Sequence, residues 1–338
     1  MSEQVRVGVI GTGMMGGDHA RNLADGIRGA RLTALADADE QRARRLAGEV
    51  GVADIYPDGR QLIDSGAVDA VIVAAPDPAH AALVAACLDA RLPVLCEKPL
   101  APNAEAARAL VARQDALGAD LVTVGFMRRF DPGYQALKQR LVEGREGALL
   151  MTHSVHRNVE AYPGQDSSAT ITNSGIHEID VLPWLSGSPV VGVQWAAGRA
   201  SSLISERHDP QFMLLRDAAG ALHTVELGVH LQYGYDVRCE AVCERATVEL
   251  PAVPALVEQT PVVLNAGLAR QTFYPEDSRA RFAAAYRSEL AAWIDGIRTG
   301  RRHPDAATAR DGLRASAVAE ALVASMNQGG SPVAVEED

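Results

Sequence analysis

A glycine-rich turn near the N-terminus has the spacing that lets a protein backbone approach a phosphate group. Residues 11–16 read Gly-Thr-Gly-Met-Met-Gly, which fits G-x-G-x-x-G. The turn follows the apolar run Val5–Ile10, which is typical of a strand buried on both faces, and it opens a predicted helix. Asp37 ends the next predicted strand, where its carboxylate can accept hydrogen bonds from ribose hydroxyls. These features favour a dinucleotide site over a turn that binds nothing.

Each glycine of the turn has a separate expected role. Gly11 permits the tight turn, Gly13 lets backbone N–H groups approach a pyrophosphate, and Gly16 allows close packing of helix on strand. The N-terminus of the helix favours the negative charge of that ligand. The Asp37 carboxylate would repel a 2′-phosphate, and no arginine follows it directly. NAD is therefore expected as the cofactor, with NADP less favoured.

A second reactive group stands at the end of the predicted fifth strand. The chain has 32 basic residues, of which only Lys98 and Lys138 are lysines. Arginine stays charged in a protein, whereas a lysine amine can lose its proton. Pro99 restricts Lys98 to extended geometry at the edge where open α/β sheets bind ligands. Two interpretations stay open: proton exchange with a substrate hydroxyl while a hydride moves to the nicotinamide, or a solvated loop lysine.

The second half of the chain carries a histidine among other polar residues. His177 lies in a predicted helix over Ser174–Leu185, which Asn173 or Ser174 would cap. Asp180, one turn beyond His177, would orient its imidazole ring. The residue types do not have a tight zinc spacing, so no metal is expected. A histidine that only satisfies hydrogen bonds in the core is the alternative interpretation of His177.

Two different strand patterns predict how these groups are positioned. Over residues 1–125, buried strands alternate with helices, which predicts an α/β domain with a doubly wound parallel sheet. Over residues 147–250, longer strands alternate polar and apolar residues, which predicts a mainly antiparallel sheet with one exposed face. We therefore predict a Rossmann domain over residues 1–125 and an α+β domain over residues 126–330. The tail after Gly330 is expected to be disordered.

The composition limits which binding partners and which cellular compartment are expected. The 338 residues include 32 Lys and Arg against 43 Asp and Glu, a net charge of −11 without a basic tract, so nucleic-acid and membrane partners are not expected. The longest apolar runs are shorter than the ~18 residues of a membrane helix, and no signal peptide is expected. Cys87, Cys96, Cys239 and Cys243 do not have zinc spacing and are expected to be buried free thiols in a reducing cytoplasm.

Segments along the whole chain resemble the Gfo/Idh/MocA family of NAD(P)-dependent sugar and cyclitol dehydrogenases. Glu-Lys-Pro at 97–99 is specific to that family. GFMRRFD at 125–131, HRN at 156–158 and HEID at 177–180 point to its inositol-dehydrogenase branch. The resemblance implies NAD-dependent oxidation of one secondary hydroxyl of a cyclitol or sugar to a ketone. It also implies a homo-oligomer, a tetramer or dimer, assembled through a large open sheet of the C-terminal domain.

The resemblance further implies that Lys98 is the catalytic acid/base, with His177 beside it in the polyol pocket. Inositol dehydrogenases carry Asp four residues before that histidine, whereas this chain has the uncharged Asn173. Either Tyr233 or Tyr235 matches a further pocket position. The predicted site comprises catalytic Lys98, His177 and Asn173; cofactor-binding Gly11, Thr12, Gly13, Met14, Met15, Asp37, Ala75, Pro76, Glu97 and Lys98; and substrate-binding Arg128, His156, Asn158, Asn173, His177, Tyr235 and Tyr286.

Three alternative functions stay open at this point. The first is a ketosugar, ketocyclitol or inosamine-pathway reductase of the same family, because the residues do not show the direction of the reaction. The second is a non-catalytic NAD-binding sensor, which would be expected to have lost Lys98 or His177. The third is hydrolysis or elimination through a tightly held NAD, but the family members that do this have different pocket motifs.

Overall fold

The chain divides into two compact units, each built from two segments. The computed structural model describes residues 4–160, 164–204, 206–250, 264–266, 269–271 and 274–336. The first unit comprises Met1–Met127 and Tyr286–Ser316, and the second comprises Arg128–Ala285 and Ala317–Asp338. This division differs from the predicted contiguous domains over 1–125 and 126–330, because residues 286–316 cluster with the first unit.

Strands and helices alternate in the first third of the chain, and strands dominate the middle. The strands are β1 (Val5–Ile10), β2 (Ala30–Ala36), β3 (Asp54–Tyr56), β4 (Ala70–Val73), β5 (Val94–Glu97), β6 (Val122–Gly125), β7 (Leu149–Arg157), β8 (Val190–Ala196), β9 (Gln211–Asp217), β10 (Leu222–Gly228), β11 (Asp236–Cys243), β12 (Thr247–Leu250), β13 (Leu264–Ala266), β14 (Ala269–Gln271), β15 (Ala307–Thr308) and β16 (Val333–Ala334). The helices are α1 (Met14–Ala24), α2 (Glu40–Val50), α3 (Gly59–Asp64), α4 (Asp77–Asp89), α5 (Ala104–Leu117), α6 (Pro132–Glu143), α7 (Ser167–Ala169), α8 (Ile176–Ser186), α9 (Ser278–Thr299) and α10 (Ala309–Asn327), with a 3₁₀ turn at Met127–Phe130 and a π-helical turn at Thr170–Gly175.

The first unit is built on a seven-stranded sheet in the order β15–β6–β5–β4–β1–β2–β3. All neighbouring strands are parallel except β15, which runs antiparallel to β6. Every residue of β4, β5 and β6 is buried, which explains their continuous apolar runs. The carboxyl ends of β1, β4 and β5 lie side by side, so the segments that follow these strands share one sheet edge. The predicted doubly wound parallel sheet is confirmed.

The second unit contains the other large sheet, in the order β12–β11–β7–β10–β9–β8–β16. Only β7 and β10 are parallel among its described pairs, so the prediction of a mainly antiparallel sheet is confirmed. Burial alternates along β9 and β11, as expected for strands with one covered face. α8 contacts β7, and α6 contacts β12.

The described part of the C-terminal tail is ordered, contrary to the sequence prediction. Val333 pairs with Val193 and Ala334 with Gly192 as β16 adds to β8. The N–H of Val335 donates to the carbonyl of Val191 at 3.0 Å. The prediction was wrong for residues 331–336 because Val333, Ala334 and Val335 are held by backbone pairing with β8, which no local pattern reveals.

Candidate active site

The glycine-rich turn between β1 and α1 has the shape of a phosphate cradle. Gly11 has φ +89°, and a Cβ there would lie 2.4 Å from the carbonyl oxygen of Ala74. A Cβ at Gly16 would lie 1.8 Å from the carbonyl oxygen of Gly11, whereas a Cβ at Gly13 would have no neighbour within 4 Å. No side chain caps the N-terminus of α1. Open space at Gly13 beside uncapped N–H groups fits the diphosphate of a dinucleotide.

Asp37 is engaged by several donors at the end of β2. Its Oδ2 accepts from the N–H and hydroxyl of Thr12, both at 2.7 Å, and its Oδ1 accepts from the N–H of Asp39 at 2.8 Å. Arg42 on α2 donates to both oxygens, at 3.2 and 2.7 Å. Burial acts to raise the pKa of Asp37, but these hydrogen bonds outweigh it and lower the pKa to about 2. The Arg42 side chain in this network is 45% exposed, whereas that of Asp37 is 5% exposed.

Glu97 ends β5 and Lys98 directly follows it, at the same sheet edge as the glycine-rich turn. The Lys98 side chain is half-buried, and its backbone N–H donates to Glu97 Oε2 at 3.3 Å. The Lys98–Pro99 peptide bond is cis. The other Glu97 oxygen, Oε1, lies 2.8 Å from Nε2 of His19 on α1.

His80 on α4 connects the two loops that follow β4 and β5. Its Nδ1 lies 2.6 Å from the carbonyl oxygen of Pro99, and its Nε2 lies 2.8 Å from that of Ala75. Ala75 is half-buried and Pro76 is exposed, so the predicted cofactor contacts after β4 are accessible. His80 itself is buried, and it therefore ties the Lys98–Pro99 segment to the cofactor side of the sheet edge.

The second unit holds a buried ionic cluster that includes two of the predicted pocket residues, Arg128 and His156. Arg128 pairs with Glu178, and both side chains are 1% exposed. His156 on β7 places Nδ1 2.9 Å from Glu178 Oε2 and 3.2 Å from Arg128 Nη2. Burial acts to raise the pKa of Glu178, but the charges and hydrogen bonds of Arg128 and His156 outweigh it, so this pKa is lowered. Glu178 is therefore held as a buried carboxylate.

His156 is the centre around which other predicted pocket residues gather. Its Nε2 lies 3.1 Å from Asn158 Oδ1, and its ring centroid lies 6.3 Å from that of His177 and 5.9 Å from that of Tyr235. Tyr235 is buried, and burial is the main cause that raises its pKa to about 12. Tyr233 is 48% exposed and donates its hydroxyl hydrogen to Asp236 at 2.5 Å. Tyr235 is thus the tyrosine of the pair that faces this cluster.

The helix that carries His177 starts differently from the prediction. α7 begins after Asp166, whose side chain accepts from the Ala169 N–H at 2.8 Å, and a π-helical turn then leads into α8. Asn173 and Ser174 lie inside that turn, so the prediction that either caps the helix was wrong. A π turn within a helix is frequently found at functional sites, because the widened backbone redirects its side chains.

Asp180 is the residue that was expected to orient the His177 ring. In the structure the Asp180 carboxylate pairs with Arg129. Arg129 donates from Nε to Oδ2 at 2.9 Å and from Nη2 to Oδ1 at 2.5 Å, with both side chains buried. This bidentate pair balances the Asp180 charge inside the second unit.

The structure places the predicted residues in two groups. In the first unit, Tyr286 on α9 stacks edge-on against His19 at 5.9 Å. Four residues near these groups were missed: Arg42, His19, His80 and Glu178. Two of them carried a signal, since His80 stands in an Ala-rich apolar helix and Glu178 in the apolar run IHEIDVLPWL. A polar residue within an apolar run is expected to be buried, and a buried polar side chain needs a hydrogen-bond partner.

Across 4–160, 164–204, 206–250 and 274–336, we find no cluster of three or more His, Cys, Asp or Glu side chains placed to hold a metal ion. None of the helices described in the structure combines the length and apolarity required to cross a bilayer.

Two family models match the chain. One, described as oxidoreductase family, NAD-binding Rossmann fold, covers residues 5–126. The other, described as oxidoreductase family, C-terminal alpha/beta domain, covers residues 139–335. The chain belongs to the Gfo/Idh/MocA oxidoreductase family. The resemblance found in the sequence is therefore confirmed, as is the NAD-binding Rossmann domain of this Gfo/Idh/MocA protein.

Relatives of this Gfo/Idh/MocA protein match over nearly its full length. It is 48% identical over 338 residues to inositol 2-dehydrogenase 2 of Paenarthrobacter aurescens (strain TC1), covering 98% of each chain. It is 44% identical over 334 residues to inositol 2-dehydrogenase 1 of Saccharopolyspora erythraea, covering 98% of this chain and 96% of the other. The crystal structure of myo-inositol dehydrogenase from Lactobacillus casei with NAD(H) and myo-inositol matches with a TM-score of 0.93 and 31% identity, covering 99% and 98% of the chains.

Proposed function

We propose that this protein is an NAD-dependent dehydrogenase that oxidises one secondary hydroxyl of an inositol-like cyclitol, or of a sugar, to a ketone. The observation that carries the proposal is the placement of Lys98 at the carboxyl end of β5, on the same sheet edge as the glycine-rich turn. Full-length similarity to inositol 2-dehydrogenases supports the substrate class.

The proposed chemistry assigns a separate task to each group of residues. NAD, when bound, supplies the acceptor for the substrate hydride. The Lys98 amine takes the hydroxyl proton, and the Glu97 carboxylate and the loop held by His80 keep that amine at the sheet edge. Open space at Gly13 and the N-terminus of α1 bind the diphosphate, and Asp37 binds the ribose.

We assign substrate recognition to polar side chains that read hydroxyl groups. His177 and Asn173 hydrogen-bond the reacting hydroxyl and its neighbour, and Asn158, Tyr235 and Tyr286 contact other hydroxyls of the ring. Arg128 and His156 complete the polyol site through the cluster they form with Glu178. Such sites discriminate strongly, because a substrate that does not have a matching hydroxyl leaves buried polar groups unpaired.

We further propose a functional division of the chain and an assembly. Residues 1–125 bind NAD, and residues 126–330 bind the substrate and form a homotetramer or dimer, which sedimentation velocity would measure. Support comes from the open face of the second sheet, where Phe212 is 43% exposed on β9 and pairs with Glu226 on β10. The four cysteines are buried free thiols, which supports a cytoplasmic enzyme.

A substrate panel tests the proposed function. NADH formation is measured at alkaline pH with NAD against NADP, using myo-, scyllo- and chiro-inositol, an inosamine, glucose and a uronic acid. Turnover of an inositol with NAD is the expected result. The reverse assay with ketocyclitols and NADH covers a protein that works as a reductase. No turnover in either direction, with NADH still bound, would contradict the proposal and favour a sensor.

Asn173 is expected to tune which cyclitol is accepted. Asn173→Asp introduces a carboxylate that can pair with the ammonium group of an inosamine. We expect kcat/KM for an inosamine, relative to that for myo-inositol, to rise about tenfold, the effect of one added charge-assisted hydrogen bond. Asn327→Asp, an equal charge change at an exposed position on α10, is the control. An unchanged substrate ratio in Asn173→Asp would remove Asn173 from the specificity site.

Asp37 is expected to set the cofactor preference. Asp37→Asn removes the charge that repels a 2′-phosphate and releases Arg42 to pair with it. We expect the ratio of NADPH to NADH affinity, measured by ligand fluorescence, to rise about tenfold or more. Asp54→Asn, an equal charge change at an exposed position on β3 of the same sheet, is the matched control. A ratio that stays at the wild-type value in Asp37→Asn would show that this carboxylate does not select the cofactor.

A further inference from the structure

A chain of hydrogen-bonding groups leads from a buried carboxylate to a half-buried amide in the second unit. His156 and Glu178 are 2% and 1% exposed, and Nδ1 of His156 lies 2.9 Å from Oε2 of Glu178. On the other side of the ring, Nε2 of His156 lies 3.1 Å from Oδ1 of Asn158, which is half-buried and directly follows β7. The two ring nitrogens therefore face different partners, and a neutral imidazole can carry its proton on either one.

We infer that Glu178 is a positioning residue that keeps the proton of the neutral His156 ring on Nδ1, so that Asn158 donates to Nε2 and offers its carbonyl oxygen to the polyol. The inference deepens the proposed function and rests on its assignment of Asn158 to a substrate hydroxyl. It makes Glu178 a determinant of specificity that acts through two other residues.

The contact with Glu178 decides which ring nitrogen carries the proton. A carboxylate only accepts hydrogen bonds, so a bare Nδ1 would place its lone pair against a negative oxygen at 2.9 Å. Arg128 Nη2 lies 3.2 Å from the same nitrogen and would donate to it if it were bare. Because Arg128 already pairs with Glu178 through Nη1, its longer contact with the ring is the one that gives way.

The charges of the cluster favour a ring with a single proton. Arg128 and Glu178 balance each other as buried ions. A second proton on His156 would add a positive charge without a second carboxylate, which is costly in a buried site. The rings of His177 and Tyr235 lie 6.3 and 5.9 Å from that of His156, and neither side chain supplies a negative charge, since the pKa of Tyr235 is raised to about 12, mainly by burial.

A proton on Nδ1 leaves the Asn158 amide with one compatible orientation. Nε2 then carries a lone pair, so the amide must point its NH₂ group at the ring. The two amide atoms exchange by rotation about the last side-chain bond, and the 3.1 Å contact then joins the amide nitrogen to Nε2. The backbone of Asn158 does not need to move, because it stays hydrogen-bonded to Gly228 and Leu231 at 2.8 and 2.9 Å. The freed carbonyl oxygen is an acceptor for a hydroxyl hydrogen.

The position of the proton on His156 can be observed directly in the wild-type protein. The full-length chain is labelled with ¹⁵N in its histidine rings, and long-range ¹H–¹⁵N spectra at mildly alkaline pH distinguish the two neutral tautomers from the doubly protonated ring. The chain has nine histidines, and the signal that is missing in His156→Gln assigns this one. A proton on Nδ1 alone is the expected result. A proton on Nε2 alone, or on both nitrogens, would overturn the inference.

Glu178→Gln tests whether the carboxylate is the cause of this proton position. The new amide can donate to Nδ1, so the ring proton is expected to move to Nε2. Glu143→Gln is the control, because this carboxylate ends α6 of the same unit and pairs with the exposed Arg145. Glu143→Gln should keep the wild-type tautomer. A proton that stays on Nδ1 in folded Glu178→Gln would overturn the role of Glu178, and the wild-type spectrum decides the inference if that variant does not fold.

Kinetics with fluorinated cyclitols separate this inference from the proposed function. A C–F group cannot donate a hydrogen bond, so a carbonyl oxygen on Asn158 discriminates against the monodeoxyfluoro-inositol that has fluorine at the contacted position. We expect kcat/KM for one such analogue to lie about tenfold or more below that for myo-inositol, and the difference to shrink in Glu178→Gln. An unchanged difference would overturn the role of Asn158 in the inference. A proton on Nδ1 in a protein that does not turn over any cyclitol would support the tautomer and contradict the proposed function.

Discussion

Lys98→Met is expected to lower kcat by about 10²–10⁴-fold, the usual contribution of a positioned acid/base, while NADH binding persists. The loss follows from removal of the amine that directly follows β5, while the diphosphate cradle at Gly13 stays unchanged. Steady-state turnover gives the rate, and fluorescence titration gives the NADH affinity.

Lys98→Arg makes the same test without removing the positive charge. A guanidinium does not deprotonate in a protein, so this variant should be as inactive as Lys98→Met. Lys138→Arg is the matched control, because Lys138 lies in the second unit, where it donates to the backbone carbonyl of Trp184. Near-normal turnover in Lys98→Arg would show that the amine only supplies charge and would end its assignment as the base.

Glu178→Ala is expected to destabilise the second unit by about 3–5 kcal/mol, because it leaves Arg128 as an uncompensated buried charge. The free energy of unfolding is measured by urea denaturation, with separate transitions fitted if the two units unfold apart. Glu40→Ala is the control, since its ion pair with Arg44 on α2 is about two-thirds exposed and should contribute at most about 1 kcal/mol. Equal losses in the two variants would contradict the importance of burial for the Arg128–Glu178 pair.

The Glu178 carboxylate is expected to make the second unit less stable as the pH falls. The pKa of Glu178 is lower in the folded protein than the ordinary value of about 4.3. Its stabilising contribution is therefore fully present above that ordinary value and is lost as the pH falls through the lower, folded-state value. Glu178→Gln should remove this acid dependence, and unfolding measured between neutral and acidic pH would show a flatter profile than that of the wild type.

Local sequence patterns were sufficient to predict structure where neighbouring residues in the chain determine it. The strand β1, the glycine-rich turn and α1 follow one another in the chain, and their geometry depends on the small size of Gly11 and Gly16. The strands up to β6 were predicted from continuous apolar runs, because both of their faces are covered. The strands from β7 onward were predicted from alternating polar and apolar residues, because only one of their faces is covered. The family motif at 97–99 located Lys98 for the same reason, as the residue that directly follows a strand.

Contacts between distant residues were decided only by the tertiary structure. His19 meets Glu97 and Arg128 meets Glu178 because sheet order and helix packing bring their side chains together, and no spacing rule encodes such pairs. The π turn before α8 placed Asn173 inside a helix, where a cap was expected.

Arg42 shows most clearly the difference between what the sequence predicts and what only the folded protein reveals. The sequence by itself determined the Rossmann fold, the NAD cofactor and the acid/base candidate, because these follow from periodicity and from residues adjacent in the chain. Only the folded protein showed that Arg42 reaches back to occupy Asp37, and that β16 adds to the second sheet. The physical reason is that buried charges and edge strands must find partners, and the three-dimensional arrangement decides which partners are within reach.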